Sequence, residues 1–193
     1  MVLLGAVLVR SGRKRIAVED PGHAVIRHLV ARSGLEPVPI PVDAGGIDVD
    51  TLAVVLAPGR RARILAWAEE TDALVIEDDF DSEYRYDRTP VGSLQGPMSE
   101  RVVYCGTASK TLAPTLRPGW IIAPGELVWP LVEQVLYTVI SPPRLEQRAF
   151  ADFLLRGELD RHLRRMRLRY RRRRDVTAPG ARLHWRPTSC GVV

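Results

Sequence analysis

Lysine is scarce in this chain. Of 28 lysines and arginines only Lys14 and Lys110 are lysines, so arginine serves wherever a positive charge is enough. Cysteine is scarce too: Cys105 and Cys190 have no metal-type spacing, which excludes a disulfide framework or a cysteine metal cluster and points to a reducing, cytoplasmic setting. No apolar run reaches membrane length. The opening "MVLLGAVLV" is far too short to span a bilayer, and its basic residues Arg10, Arg13, Lys14 and Arg15 follow it, whereas a secretory signal puts them first. That run reads as the end of a buried helix. There is no internal repeat and no low-complexity linker. Disorder is excluded by the hydrophobic fraction of 46%, which is ample for a core.

What is present alternates. "RIAVEDPG" (15–22), "EPVPIPV" (36–42), "ALVIEDD" (73–79), "RVVYCG" (101–106) and "GWIIAP" (119–124) read as strands. The prolines of the second suit a sheet edge. "HAVIRHLVARSG" has helical apolar spacing with Gly34 as its stop, and "ELVWPLVEQVLYTVI" and the stretch from Arg144 to Asp175 read as further helices. The segment 48–72 mixes helical pieces around a Pro58-Gly59 break. This predicts an α/β domain with a mainly parallel sheet flanked by helices. In such sheets ligands sit beyond the carboxyl ends of strands, which marks the acids after Ile76 and the Gly106–Lys110 loop.

Lys110 stands in "YCGTASKTLAPTLRPGW", and a lysine buried among small and hydroxyl-bearing residues is expected there for its amine. An amine can lose its proton and attack a carbonyl, which a guanidinium cannot do. A phosphate-binding P-loop is excluded, because Ser109 occupies the place before the lysine that the motif gives to glycine. Thr107, Ser109, loop N–H groups and Arg117 would together make an anion site. The acidic run "EDDFDSEYRYD" is not a calcium loop: counting from Asp79, Tyr84 and Pro90 fill the places of the required glycine and glutamate. What remains is a carboxylate at the tip of a strand, suited to a cationic ring nitrogen; a solvated turn is the plain structural alternative.

Nine arginines lie between 161 and 175, which invites a nucleic-acid reading. Leu155, Leu159, Leu163, Met166 and Tyr170 nevertheless recur at helical intervals, so an amphipathic helix covering the core is the better account and nucleic-acid binding through this region is not expected. His23 and His28 have no partner ligands, and Trp67, Trp120, Trp129 and Trp185 are expected in the core or at an interface.

"VEDPG", "LVIEDDFDSEYRY" and "GTASKTLAPTLRPGW", in this order, together with "HLRRMRLRYRRRRD", closely resemble the aminotransferase-like domain of the MocR/GabR family, of the fold-type-I pyridoxal-phosphate (PLP) enzymes. The resemblance implies a large domain like that of aspartate aminotransferase over 1–143, incomplete, and a helix with the start of a small C-terminal domain over 144–193. It implies pyridoxal 5'-phosphate as cofactor and Lys110 as its Schiff-base lysine and general base. Asp78 would pair with the pyridinium nitrogen, so that the ring acts as an electron sink. Thr107, Ser109 and Arg117 would hold the phosphate. It further implies an amino acid or related amine as substrate or effector, a homodimer, and no membrane association. Two readings follow: an aminotransferase, or an effector-sensing module of a transcriptional regulator that binds the cofactor without turnover.

The departures from the family pattern are equally specific. Phe80 stands where the family has a tyrosine whose hydroxyl meets the cofactor's phenolic oxygen, so the Schiff base is expected to hold its proton to higher pH. A strand and a proline-containing loop that the family carries are missing between Ala53 and Val54. The glycine loop for the phosphate, most of the small domain with its carboxylate-binding arginine, and the winged-helix DNA-binding domain are also missing from this sequence. An impaired site is the expectation.

Overall fold

A computed structural model describes residues 1–43, 46–48, 60–79, 92–112, 118–139 and 143–177. Six helices and six strands are assigned among them. The helices are α1 (Val2–Arg10), α2 (Ala24–Arg32), α3 (Arg60–Glu70), α4 (Gly125–Val139), α5 (Arg144–Leu155) and α6 (Glu158–Thr177). The strands are β1 (Arg15–Asp20), β2 (Glu36–Asp43), β3 (Gly46–Ile47), β4 (Val75–Asp79), β5 (Val102–Thr107) and β6 (Gly119–Ile122).

The strands form two three-stranded sheets, β1-β2-β3 and β4-β5-β6. In each the long pair is parallel, β1 with β2 and β4 with β5, and the third strand is antiparallel. The expected mainly parallel ladder is thus present in two pieces. The proline-rich strand is a partial correction, because β2 lies between β1 and β3 and is not a simple edge. Its prolines are still accommodated as strand prolines must be. Pro37, Pro39 and Pro41 alternate along the ladder, and β3 joins β2 only at Val42 and Asp43, so the missing N–H groups fall where no ladder bond is required.

Alternation along the strands builds a core on each sheet face. Ile76 and Val103 turn to one face with Leu4, Val7 and Leu8 of α1, Ile16 and Val18 of β1, and Leu127 and Leu131 of α4. Their chain neighbours Val75 and Val102 turn to the other, against Ile64 and Ala68 of α3, Ile40, Ile47 and Leu94. Each such side chain contributes about 1.5–3 kcal/mol when fully buried. The near-continuous apolar reading of these strands follows from helices on both faces. The opening run, expected at the end of a buried helix, is α1, tied to α4 by an Arg10–Glu133 ion pair of 2.7 Å.

Chain direction changes where the sequence supplies special residues. Gly34 closes α2 with φ +91°, a region in which a Cβ is strained. Asp72 enters β4 with φ 54°. Arg13 donates to its carbonyl at 2.7 Å and Arg101 clasps its carboxylate; that bond and charge hold the Asp72 carboxyl below the usual carboxylate range. The expected single helix over 144–175 is two, because Gly157 at φ +67° separates α5 from α6. Its apolar stripe is buried only in the middle. Leu163 is buried, Leu159 and Met166 are half-buried, and Leu155 and Tyr170 are exposed. Trp67 packs against the second core, whereas Trp129, expected in the core or at an interface, is 71% exposed and so not part of the core. Trp185 lies outside the described residues.

Candidate active site

The three acids that end β4 divide between the two faces of the sheet, because successive strand residues face opposite ways. Glu77 is buried at 6% exposure; its Oε2 accepts the Leu94 N–H at 2.8 Å, and Arg61 stands 3.6 Å from Oε1. It is a structural carboxylate that pins the segment around Leu94 to the sheet. Asp79, on the same face, accepts the Tyr104 hydroxyl at 2.8 Å. Asp78, between them, turns to the α1–α4 face and lies level with Cys105 in the β4–β5 register. Burial, and after it the Asp78 charge, push the Cys105 thiol up to about 11 against the opposing charge of the chain's amino terminus. Asp78, Cys105 and the start of α1 therefore converge on one face of the sheet.

β5 runs into the turn that carries Lys110. The Thr107 hydroxyl lies 3.0 Å from Ser109 Oγ and 3.2 Å from the Pro118 carbonyl, and it accepts the Ser109 N–H at 3.2 Å. Ala108 is buried; its carbonyl accepts the Thr111 hydroxyl and the Leu112 N–H, both at 3.0 Å. His162 of α6 reaches the Thr111 carbonyl with Nε2 at 2.8 Å. A carbonyl only accepts, so that nitrogen carries the proton. Gly106 is required, since a Cβ there would meet the Trp120 ring at 2.4–2.6 Å. Trp120 in turn stacks on Phe150 of α5, ring centres 6.1 Å apart.

Lys110 itself is exposed, which corrects the expectation of a buried lysine. The turn beneath it is what is buried, with Ala108 at 1% and Thr111 at 8% exposure. The structure places Thr107, Ser109 and Lys110 on one turn and Asp78 on the neighbouring parallel strand. Phe80 and Arg117 lie outside the described residues. Sequence reasoning missed Cys105, Tyr104 and His162. The last had a signal, because it is the one neutral polar side chain in a stretch of α6 otherwise written with arginine and apolar residues. Among the described residues no cluster of His, Cys, Asp and Glu could hold a metal ion. None of the described helices is long and apolar enough to cross a membrane.

No family model matches the chain. Individual relatives do. It is 35% identical over 181 residues to the HTH-type transcriptional regulator YhdI of Bacillus subtilis. It is 35% identical over 186 residues to the probable rhizopine catabolism regulatory protein MocR of Rhizobium meliloti. The aminotransferase-like domain that this chain carries is of the MocR type. The matches take in 84% and 86% of this chain but only 39% and 38% of those relatives. Among solved structures, the multiple substrate aminotransferase from Thermococcus profundus superimposes with a TM-score of 0.78 at 25% identity, over 90% of this chain and 51% of that one. The kynurenine aminotransferase of Pyrococcus horikoshii, solved in complex with PMP, gives 0.76 at 24% identity, over 90% and 51%. The fold is that of the aspartate-aminotransferase-like enzymes, as the sequence resemblance implied.

Proposed function

We propose that this MocR-type domain binds pyridoxal 5'-phosphate through Lys110 and presents it to an amino acid or related amine. The observation that supports this most is the placement of the Lys110 turn directly after β5, one parallel strand from Asp78. The donor set fits the group: a primary amine for an aldehyde, a carboxylate for a ring nitrogen, and hydroxyls and N–H groups for a phosphate. When bound, the cofactor supplies an electron sink for bonds at the substrate's α-carbon. The chain's own residues do the rest. Asp78, half-buried beside an apolar face, keeps its charge close to where a ring proton would sit and so holds that proton in place. The amine of Lys110, exposed at the end of a braced turn, would hold the cofactor's aldehyde and would carry a proton to or from the substrate. Thr107 and Ser109, on the same turn, would offer hydroxyls to the phosphate, with Arg117 added from the sequence motif.

The relatives that are transcriptional regulators favour a second reading, in which binding is sensed and not turned over. Adding PLP to the protein should produce visible absorbance near that of a lysine-bound cofactor, lost in Lys110→Ala. Amino acids should then convert the cofactor to pyridoxamine phosphate if the domain is an aminotransferase. Colour that survives amino acids without conversion assigns it to sensing. No absorbance in the wild type refutes both. A homodimer, an amine ligand and the division at 143 belong to this proposal.

A further inference from the structure

Two strand edges face each other across a gap between the sheets. β1 and β4 each end a three-stranded sheet, and neither has a second strand neighbour among the described residues. Between them lies a void of about 110 Å³, bordered by Arg15, Ile16 and Ala17 on one side and by Leu74, Val75 and Ile76 on the other. Leu8 of α1 borders it toward the first core, and Ile64 and Trp67 of α3 toward the second. Arg13 donates to the Asp72 carbonyl at 2.7 Å, so the amino-terminal ends of the two strands lie together.

Backbone register shows which groups face the void. In a parallel ladder a residue bonds one neighbour through both its N–H and its carbonyl, and the next residue is turned to the other side. Glu36 donates to the Lys14 carbonyl at 2.9 Å, which assigns Ile16 and Val18 to β2. Pro37, Pro39 and Pro41, which cannot donate, agree with that phase. Arg15 and Ala17 therefore direct their backbone groups at the void. On the other edge Val75 donates to the Arg101 carbonyl at 2.8 Å, which turns it to β5 and leaves Leu74 and Ile76 facing the void. Arg15, Ala17, Leu74 and Ile76 find no other backbone partner among the described residues. Backbone groups held away from water call for partners, and an open edge is a template for a further strand.

We propose that this slot binds an extended segment of another protein, which enters as a central strand parallel to β1 and β4. Its backbone would bond both edges at once, a two-sided form of the way peptides extend sheets. Both of its faces would meet apolar side chains, so it must be apolar at successive positions, as β4 and β5 are. Arg15 stands at the entry, exposed and without an ion pair among the described residues. A strand that begins there is favoured by an acidic residue at its amino end. The partner segment is thus an acidic residue followed by about five aliphatic ones.

The probe is acetyl-EVIVVTKK-amide, added to the whole chain without PLP. Its counterpart carries N-methyl groups on alternate residues, which keeps the side chains and removes backbone donors. Amide hydrogen exchange followed by NMR reads Arg15, Ala17, Leu74 and Ile76 one by one. In the protein alone these amides are expected to exchange faster than those of Ile16, Val18 and Val75. They should become at least about tenfold more protected as the peptide saturates, by about 1 mM. The N-methylated peptide should bind at least about tenfold more weakly, and so should the unmodified probe to Ala17→Pro. That variant keeps the β1–β2 ladder, to which the Ala17 N–H does not belong. Equal binding of the two peptides, no saturation by about 1 mM, or binding that leaves these amides unchanged overturns the proposal. Protection already present in the protein alone overturns it as well. If independent of protein concentration it assigns the slot to the chain's own residues, and if rising with concentration to a second copy. If Ala17→Pro fails to fold by circular dichroism, the N-methyl comparison in the wild type decides alone.

Discussion

Gly106→Ala is a one-carbon change with a large expected effect. Gly106 lies opposite Trp120 in the β5–β6 ladder, and an added Cβ would stand 2.4, 2.5 and 2.6 Å from three atoms of the indole. Real Cβ contacts are an ångström longer, so either the backbone or the ring must move. The backbone is held by pairing on both sides, to β4 and to β6. The ring is 39% exposed but rests on Phe150. Overpacking of this kind costs about 1–3 kcal/mol, and losing part of the ring stack adds about 0.5–1.5 kcal/mol. For a chain of this length each kcal/mol lowers Tm by about 2–4 °C. Urea denaturation followed by far-UV circular dichroism gives the comparison, with the shift in midpoint at constant m as the quantity of interest. The double variant Gly106→Ala/Trp120→Ala should recover most of the loss caused by the alanine, a coupling expected of residues in contact. A single variant within about 0.5 kcal/mol of wild type, or strictly additive changes, would refute the steric argument and with it the claim that Trp120 fixes the end of β5 before the Lys110 turn.

Three further outcomes follow from the site. Glu77→Ala should cost about 1–3 kcal/mol in the same assay, because it leaves the Leu94 N–H without its acceptor; Glu77→Gln should lose less. His162→Ala should raise amide exchange at Ser109 and Leu112 severalfold, since the Thr111 carbonyl loses its bond to α6, whereas unchanged exchange would free the turn from that helix. The Cys105 thiol, pushed up to about 11 by burial and the Asp78 charge from a usual 9.0, should alkylate about a hundredfold more slowly than an exposed cysteine at pH 8. Asp78→Asn should speed it. In the unfolded chain that thiol ionises at lower pH than in the folded one. Its contribution is thus complete below about pH 9 and declines as pH rises toward 11. Peptide mass spectrometry distinguishes Cys105 from Cys190.

The strands were legible because helices on both faces make them nearly continuous apolar runs: "ALVIEDD" and "RVVYCG" contain the pair β4 and β5. The single arginine-rich helix was misread at Gly157, since the leucine spacing continues through a residue whose positive φ breaks the axis. The split of the sheet could not be read, because strand neighbours are set by tertiary packing and not by local pattern. At the proposed site, residue type singled out Lys110, and the family resemblance singled out Asp78. The same reading gave no hint that Glu77, Asp78 and Asp79 serve three separate partners, as those partners come from distant segments at Leu94, Cys105 and Tyr104. The exposure of Lys110 was misjudged because small neighbours imply burial of the turn and not of the amine at its end.

The central claim concerns one amine. Incubation with PLP, reduction with borohydride and peptide mapping should place the phosphopyridoxyl mass on the peptide that contains Lys110 and leave the one containing Lys14 unmodified. A label on Lys14 alone, or a protein left unmodified at both lysines, would contradict the account.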